Sequence, residues 1–354
     1  MKYFILYANC IPVKGAKRSL ICDLQRNQYW YIPEGLYDVL TSHGRVSLDS
    51  IKTSYENKFD LIIDEYFEFL ASNELGFWTT EEDVKNFPEL NLDWDEPSLI
   101  TNAIIDSDVG SSHNYTKIFD ELEELGCKHI QLRFFDEIIF EQLTSILEKL
   151  HCRRLISVEI ILPFKNKETE ILVADLSAKY QRITQIAFYN SQTNNSYVKY
   201  HSQIINITLN INSELHCGII SSKYFTLNIK NFTESVNYNS CLNRKISIDK
   251  KGQIKNCPSL SKEYGHINNI TLIDVVLKED IKKLWKINKD KIEICKDCEF
   301  RHICTDCRAY VEQPENIYSK PLKCGYNPYT CQWEEWSNNP LKQKAISHYE
   351  MRII

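Results

Sequence analysis

The run CKDCEFRHICTDC, from Cys295 to Cys307, decides how this chain is read. It contains two C-x2-C knuckles separated by five residues, and Cys324 and Cys331 follow it. Each knuckle turns two sulfurs toward one point, which is the local geometry of a soft-metal ligand. Upstream lies a second piece: Cys241, ten residues, Gly252, four residues, Cys257. Residues 246–249 and 253–255 read as two short strands joined by Lys250, Lys251 and Gly252, so a hairpin is expected. Such a hairpin brings Cys241 and Cys257 within reach of one centre, with Gly252 supplying the positive φ of the turn. The candidate metal ligands are therefore Cys241, Cys257, Cys295, Cys298, Cys304, Cys307, Cys324 and Cys331.

Working outward, the other five of the thirteen cysteines, Cys10, Cys22, Cys127, Cys152 and Cys217, are scattered among apolar segments and read as small buried hydrophobes. A chain of 354 residues has enough length for two or three packed units and does not need disulfides to hold a core. With 43% hydrophobic and 25% charged residues it is expected to be globular and soluble. A net charge of -6 without a long basic run excludes nucleic acid as the main partner. The start, broken by Asn9, Pro12 and Lys14, has no signal-peptide pattern, and no stretch of about eighteen apolar residues marks a membrane span. A cytoplasmic location is expected, where thiols stay reduced and clustered cysteines bind metal.

Toward the N-terminus, Tyr3–Tyr7, Ser19–Leu24 and Tyr29–Ile32 alternate like strands. Leu36, Val39 and Leu40, then Ile62, Tyr66, Phe69 and Leu70, repeat at helical spacing. Strands followed by helices over residues 1–80 predict a small winged-helix-like module. Residues 81–97 belong to a polar stretch, Thr79 to Pro97, that carries Pro88 and seven acidic residues and reads as a linker. From residue 98 to about 235 the rhythm becomes strand, helix, strand, helix. Leu99–Ile105, His129–Phe134, Leu155–Leu162, Thr184–Tyr189, Gln203–Leu209 and Tyr224–Ile229 are the predicted strands, with helices around 118–125, 143–150 and 167–180. An α/β domain of parallel strands with crossover helices is expected, an open sheet or partial barrel. Residues 236–354 then form the cysteine-bearing module.

The metal has two readings. Zinc ribbons separate their knuckles by roughly twelve to twenty residues. A gap of five crowds four sulfurs and suits iron–sulfur clusters that share ligands with distant cysteines, so iron is favoured and zinc is the alternative. The order C-x10-G-x4-C, then C-x2-C-x5-C-x2-C and a final Cys, resembles the SPASM domain, the auxiliary-cluster domain of radical SAM enzymes that mature peptides. It departs from that pattern at Thr305-Asp306, where the family usually has three residues before the fourth knuckle cysteine. The resemblance implies two 4Fe-4S clusters, one on Cys241, Cys257 and Cys307, the other on Cys295, Cys298, Cys304 and Cys324. Cys331 is surplus to that scheme and either completes the first cluster or is structural.

The strand and helix order from about 98 to 230 is similar to the partial barrel of radical SAM enzymes. Their C-x3-C-x2-C motif is missing: the loop from Asp106 to Asn114 holds no cysteine. Phe134-Phe135-Asp136-Glu137 stands where a Gly-Gly-Glu type turn would approach SAM, and bulky phenylalanines deny that close backbone approach. This polypeptide is not expected to cleave SAM by itself. Asp106, Asp108 and His113 offer an alternative polar site that reads more simply as solvated loop. Taken with the front end Tyr3–Gly15 and the run Cys295–Tyr310, the chain resembles the SPASM-domain peptide maturases of grasp-with-spasm systems. That resemblance implies a ribosomally made precursor peptide and an ATP-grasp ligase as partners, with residues 1–80 binding the leader as an added strand.

Overall fold

A computed structural model describes residues 2–150 and 154–351; Cys152, read above as a buried hydrophobe, lies outside them. The chain divides into two compact units and passes between them repeatedly. The first holds the segments up to Trp94, Ile220–Ser240 and the chain from Ile287 onward; the second holds Asp95–Ile219 and Cys241–Lys286. The compact units thus do not follow the expected module boundaries. The hairpin carrying Cys241 and Cys257 belongs with the parallel sheet, not with the knuckles.

The first unit begins with β1 (Tyr3–Leu6), β2 (Cys10–Val13), β3 (Ser19–Asp23) and β4 (Gln28–Ile32), followed by α1 (Glu34–Ser42), α2 (Leu48–Ser54), α3 (Asp60–Ser72) and β5 (Gly76–Thr79). Strands β2, β3 and β4 form an antiparallel meander, and β1 pairs with β5. The three helices cover this sheet through Leu36, Val39, Ile51, Ile63, Phe67 and Leu70. The buried stripe of α3 is one residue out of phase with the expected one: Ile62 is exposed and Ile63 faces the core. Four-residue strand β2 was too short to stand out between the longer alternating runs. The stretch expected to be a linker is mostly exposed but touches the first unit at a few residues. Phe87 stacks edge-on against Phe77 at 4.7 Å, Arg45 donates to the Phe87 carbonyl at 2.7 Å, and Leu90 and Leu92 join an apolar cluster.

The second unit is a mixed α/β layer around an eight-stranded, mainly parallel sheet. Its strands are β6 (Asn102–Ser107), β7 (His129–Phe134), β8 (Ser157–Pro163), β9 (Ile183–Tyr189), β10 (Asn195–Lys199), β11 (Ser202–Asn206), β12 (Lys245–Ile248) and β13 (Ile254–Lys255). Their spatial order is β10-β11-β9-β8-β7-β6-β12-β13, with the antiparallel hairpin partners β10 and β13 at the two ends. Crossover helices α4 (Tyr115–Glu124), α5 (Phe140–Glu148) and α6 (Lys167–Lys179) make the parallel order possible, since parallel neighbours cannot be joined by a tight turn. Asn114 and Asn166 cap α4 and α6 by accepting from the Lys117 and Thr169 amides. One sheet face, carrying Ala103, Ile105, Ile130, Leu132, Val158 and Ile160, buries against Phe119, Leu122, Leu143, Leu147 and Val173. Because side chains alternate along a strand, the opposite face of β6, β7 and β8 carries Asn102, Asp106, His129, Gln131, Arg133 and Glu159. That polar face supports one of the cysteine groups described below.

Residues 224–229 are not a strand. Asn228 accepts from the Asn231 amide and starts α7 (Ile229–Asn237), a helix of the first unit. Phe225 and Leu227 alternate because they anchor the approach to that helix, where they pack beside Phe232. Among the described residues, no helix is long and apolar enough to cross a membrane.

Candidate metal centre

In the first unit, Cys295, Cys298, Cys304 and Cys324 line one small cavity together with Lys289, Phe300, Tyr326 and Trp333. Backbone turns aim them. The Cys295 amide donates to the Glu293 carbonyl at 2.7 Å across Ile294, whose φ of 64° and ψ of -43° make this the rare, strained hand of γ-turn. A β-branched residue held there stores roughly 1–3 kcal/mol of strain, a cost typical of functional sites. The Cys298 amide then closes back on the Cys295 carbonyl at 3.0 Å, and the Cys324 amide on the Pro321 carbonyl at 3.2 Å. Thr226 donates its amide to the Ile303 carbonyl, tying the 220–240 segment to the knuckles.

Electrostatics in this cavity are set by burial. Loss of water pushes the Cys295 thiol up to about 12, and the Cys298 and Cys304 thiols up as well. The buried Lys289 ammonium donates to the Cys304 sulfur at 2.9 Å. Burial alone would lower Lys289, but Cys304, Cys295 and Asp306 outweigh it and hold it charged. A soft cation binding here would displace the thiol protons beside a cation already in place.

In the second unit, Cys241 precedes β12 and Cys257 follows β13, with Gly252 at φ 81° in the turn between the strands. Asn256 locks this hairpin by donating to the Leu242 and Lys245 carbonyls at 3.0 and 2.7 Å. Lys245 donates to the Cys241 sulfur at 3.3 Å. Burial raises the Cys257 thiol to about 11. Cys217, expected to be an ordinary buried residue, is half-buried and accepts from Arg133 at 2.7 Å. Arg133 also grips Asp106 with both ends of its fork, at 2.6 and 2.7 Å. Burial pushes the Asp106 carboxyl up, and the Arg133 charge opposes it.

The expected ligands thus fall into distinct places. Four surround the first cavity, and Cys241 and Cys257 lie in the other unit. Cys307 is buried in the first unit near Tyr349, outside the cavity lining, and Cys331 sits on the hairpin of β14 (Tyr326–Asn327) and β15 (Gln332–Trp333) with its sulfur 3.8 Å from the Pro328 carbonyl. The polar alternative at Asp106, Asp108 and His113 does not converge. His113 bonds the Asp106 backbone carbonyl at 2.8 Å, while the Asp106 carboxylate faces Arg133 and Asp108 accepts from Gly110 and Ser111.

Among the described residues, no three His, Cys, Asp or Glu side chains stand where a single metal ion could be ligated by all of them. A multi-iron cluster does not require that convergence, because each thiolate binds a different iron. Four thiols around a cavity with a buried ammonium fit such a cluster in both donor softness and charge.

No family model matches this chain, and neither does any curated protein. Among solved structures it is similar to SuiB of Streptococcus suis bound to S-adenosylmethionine, at 10% identity over 93% of this chain and 100% of that one, with a TM-score of 0.31. It is likewise similar to SuiB bound to the precursor peptide SuiA, at 9% identity over 90% of this chain and 98% of that one, with a TM-score of 0.33.

Proposed function

We propose that this chain is a peptide-maturation protein that carries iron–sulfur clusters and works with an ATP-grasp ligase on a ribosomally made precursor peptide. The observation that carries this reading is the four-cysteine cavity: Cys295, Cys298, Cys304 and Cys324 come from three separate turns and line one space with Lys289. Together with the SPASM-like spacing of Cys241, Gly252 and Cys257, this supports auxiliary clusters in an α/β protein of radical SAM ancestry. When bound, such a cluster supplies iron sites that shape or electronically tune a peptide-binding cleft. The chain's own residues do the rest: the thiolates hold the irons, and Lys289 and Lys245 offset negative charge at the sulfurs.

Leader capture falls to the N-terminal module in this reading. It has a groove of about 470 Å³ between β1, α1 and the 87–92 segment, lined by Leu6, Ile11, Val39 and Leu40 together with the polar His43, Arg45 and Glu89. Outer strands β1 and β2 border it, so an extended peptide could add by main-chain hydrogen bonds while its side chains enter the groove. The SAM-cleaving step lies outside this reading, since the loop after β6 has no thiol and Asp106, near the end of β6, is committed to Arg133.

Two measurements test the proposal. Anaerobically purified protein is expected to be brown, with about eight irons and eight sulfides per chain; stoichiometric zinc without iron would make it a zinc-stabilised scaffold. Mass spectrometry of the precursor after co-expression with the ligase is expected to show a mass change that depends on this protein. A precursor processed identically in its absence would refute the maturation role.

A further inference from the structure

No spacing rule joins Cys217 to the metal ligands, yet the fold brings three chain segments together around it. Arg133, near the end of β7, donates to the Cys217 sulfur at 2.7 Å. Ser259, two residues past Cys257, donates to the Glu214 carbonyl at 3.2 Å and so ties the Cys257 segment to the turn before Cys217. Asn256 ties the same segment to Leu242 and Lys245, beside Cys241. Cross-strand register adds a second argument. Lys245 pairs with Asn102, Arg133 with Asp106, and Lys255 with Ser247, so Lys245, Arg133 and Asp106 share the polar sheet face, and Cys257 follows two residues after the end of β13.

From this arrangement we propose that Cys217, Cys241 and Cys257 form a three-thiolate cluster-binding group in the second unit, with Arg133 and Lys245 as its charge-compensating residues. The inference rests on the iron–sulfur reading above and adds a ligand that the SPASM-like spacing does not contain. Charge supports it. Arg133 and Lys245 each donate to a sulfur of the group, and these cations offset the one negative charge that three thiolates on an oxidised 4Fe-4S core carry. A thiol that merely filled space would not need two cations aimed at its group, because a neutral sulfur is a weak acceptor. Cys217 and Cys241 are both half-buried, so their reactivity can be read directly.

The test uses the intact iron-loaded protein. Anaerobic alkylation followed by mass spectrometry is expected to leave Cys217 and Cys241 unmodified, and to modify both once iron has been stripped with a chelator. In parallel, Cys217→Ala and Cys241→Ala are each expected to lose about half of the iron and sulfide, the share of one of two clusters, while Cys22→Ala keeps all of it. Alkylation of Cys217 in iron-loaded protein with Cys241 still protected, or full iron in Cys217→Ala, would overturn this inference and leave the maturation reading intact. Wild-type protein with no iron or sulfide would overturn both. The footprint is read on wild-type protein, so a folding defect in a variant cannot mimic its result.

Discussion

The two thiol groups are built from the same parts and use them differently. Each has a lysine on a sulfur, Lys289 on Cys304 and Lys245 on Cys241, and each stands beside an arginine that clamps a buried aspartate. In the first unit Arg308 holds Asp306 at 2.7 and 2.9 Å and gives its remaining donors to the Ile317 and Ser319 carbonyls. It is a brace for the loop after the knuckles. In the second unit Arg133 gives its remaining donor to the Cys217 sulfur. The surroundings differ in degree: in the first group Cys295, Cys304 and Cys324 are 6–9% exposed and Cys298 is half-buried within an aromatic wall, whereas in the second Cys257 is buried and Cys217 and Cys241 are half-buried. Both arginines spend the fork on an aspartate, and what differs is the remaining donor, which braces backbone at Arg308 and meets a sulfur of the proposed group at Arg133.

The largest effect expected from this contrast comes from cutting the two clamps. Removing one partner of a buried ion pair costs roughly 3–5 kcal/mol, because the other charge is left desolvated. Arg308→Met should reach the top of that range, since it also strips hydrogen bonds from two carbonyls. Arg133→Met should cost less, and its cost should depend on pH. Burial already pushes the Asp106 carboxyl up, and without Arg133 nothing opposes that push. The folded carboxyl then holds its proton more tightly than the unfolded one, so stability is recovered as pH falls. Denaturant midpoints at pH 7 and pH 5, each referred to wild type, should show the Arg133→Met deficit shrinking. A deficit that grows on acidification, or one larger than that of Arg308→Met, would reverse the roles assigned to the two clamps.

Backbone strain separates the groups next. The hairpin turn between Cys241 and Cys257 takes its positive φ on Gly252, whereas the turn before Cys295 takes it on the β-branched Ile294. A Cβ at residue 252 would come within 2.6 Å of the His266 ring, on a φ of 81°. Gly252→Ala is therefore expected to cost about 1–3 kcal/mol and to lower iron retention on Cys241 and Cys257, leaving iron on the Cys295 group unchanged. Equal loss from both groups would deny the hairpin its separate role.

Gly252 also marks where the sequence was legible. A glycine between two short strand patterns is a local signal, and the hairpin forms as read. The parallel sheet was legible for the same reason: His129–Phe134 and 157–163 alternate cleanly. What escaped notice depends on distance along the chain. Cys217 lies 84 residues from Arg133, and no spacing rule connects them. Asp106 looked like a loop residue beside His113, yet the β6–β7 register delivers it to Arg133. The division into compact units was hidden too, because residues 220–240 leave one unit for the other with no change in composition.

The smallest effect, and the control for the whole contrast, concerns Cys22. It shares an apolar cluster with Cys304 and Cys324 and is fully buried in β3, so burial alone cannot tell it from a ligand. What it lacks is a lysine or arginine donating to its sulfur among the described hydrogen bonds, and Cys22→Ala should accordingly cost about 1 kcal/mol with iron content unchanged. Its thiol is nonetheless pushed up to about 12 by burial, against about 8.5 in an unfolded chain. Between those values the folded state keeps a proton that the unfolded state has lost, so stability falls as pH rises, by up to about 1.4 kcal/mol per pH unit for this group. Unfolding midpoints from pH 8 to pH 10 should decline less steeply in Cys22→Ala than in wild type. Iron loss from that variant would mean that burial in this cluster, and not the cation on the sulfur, distinguishes a metal-binding cysteine.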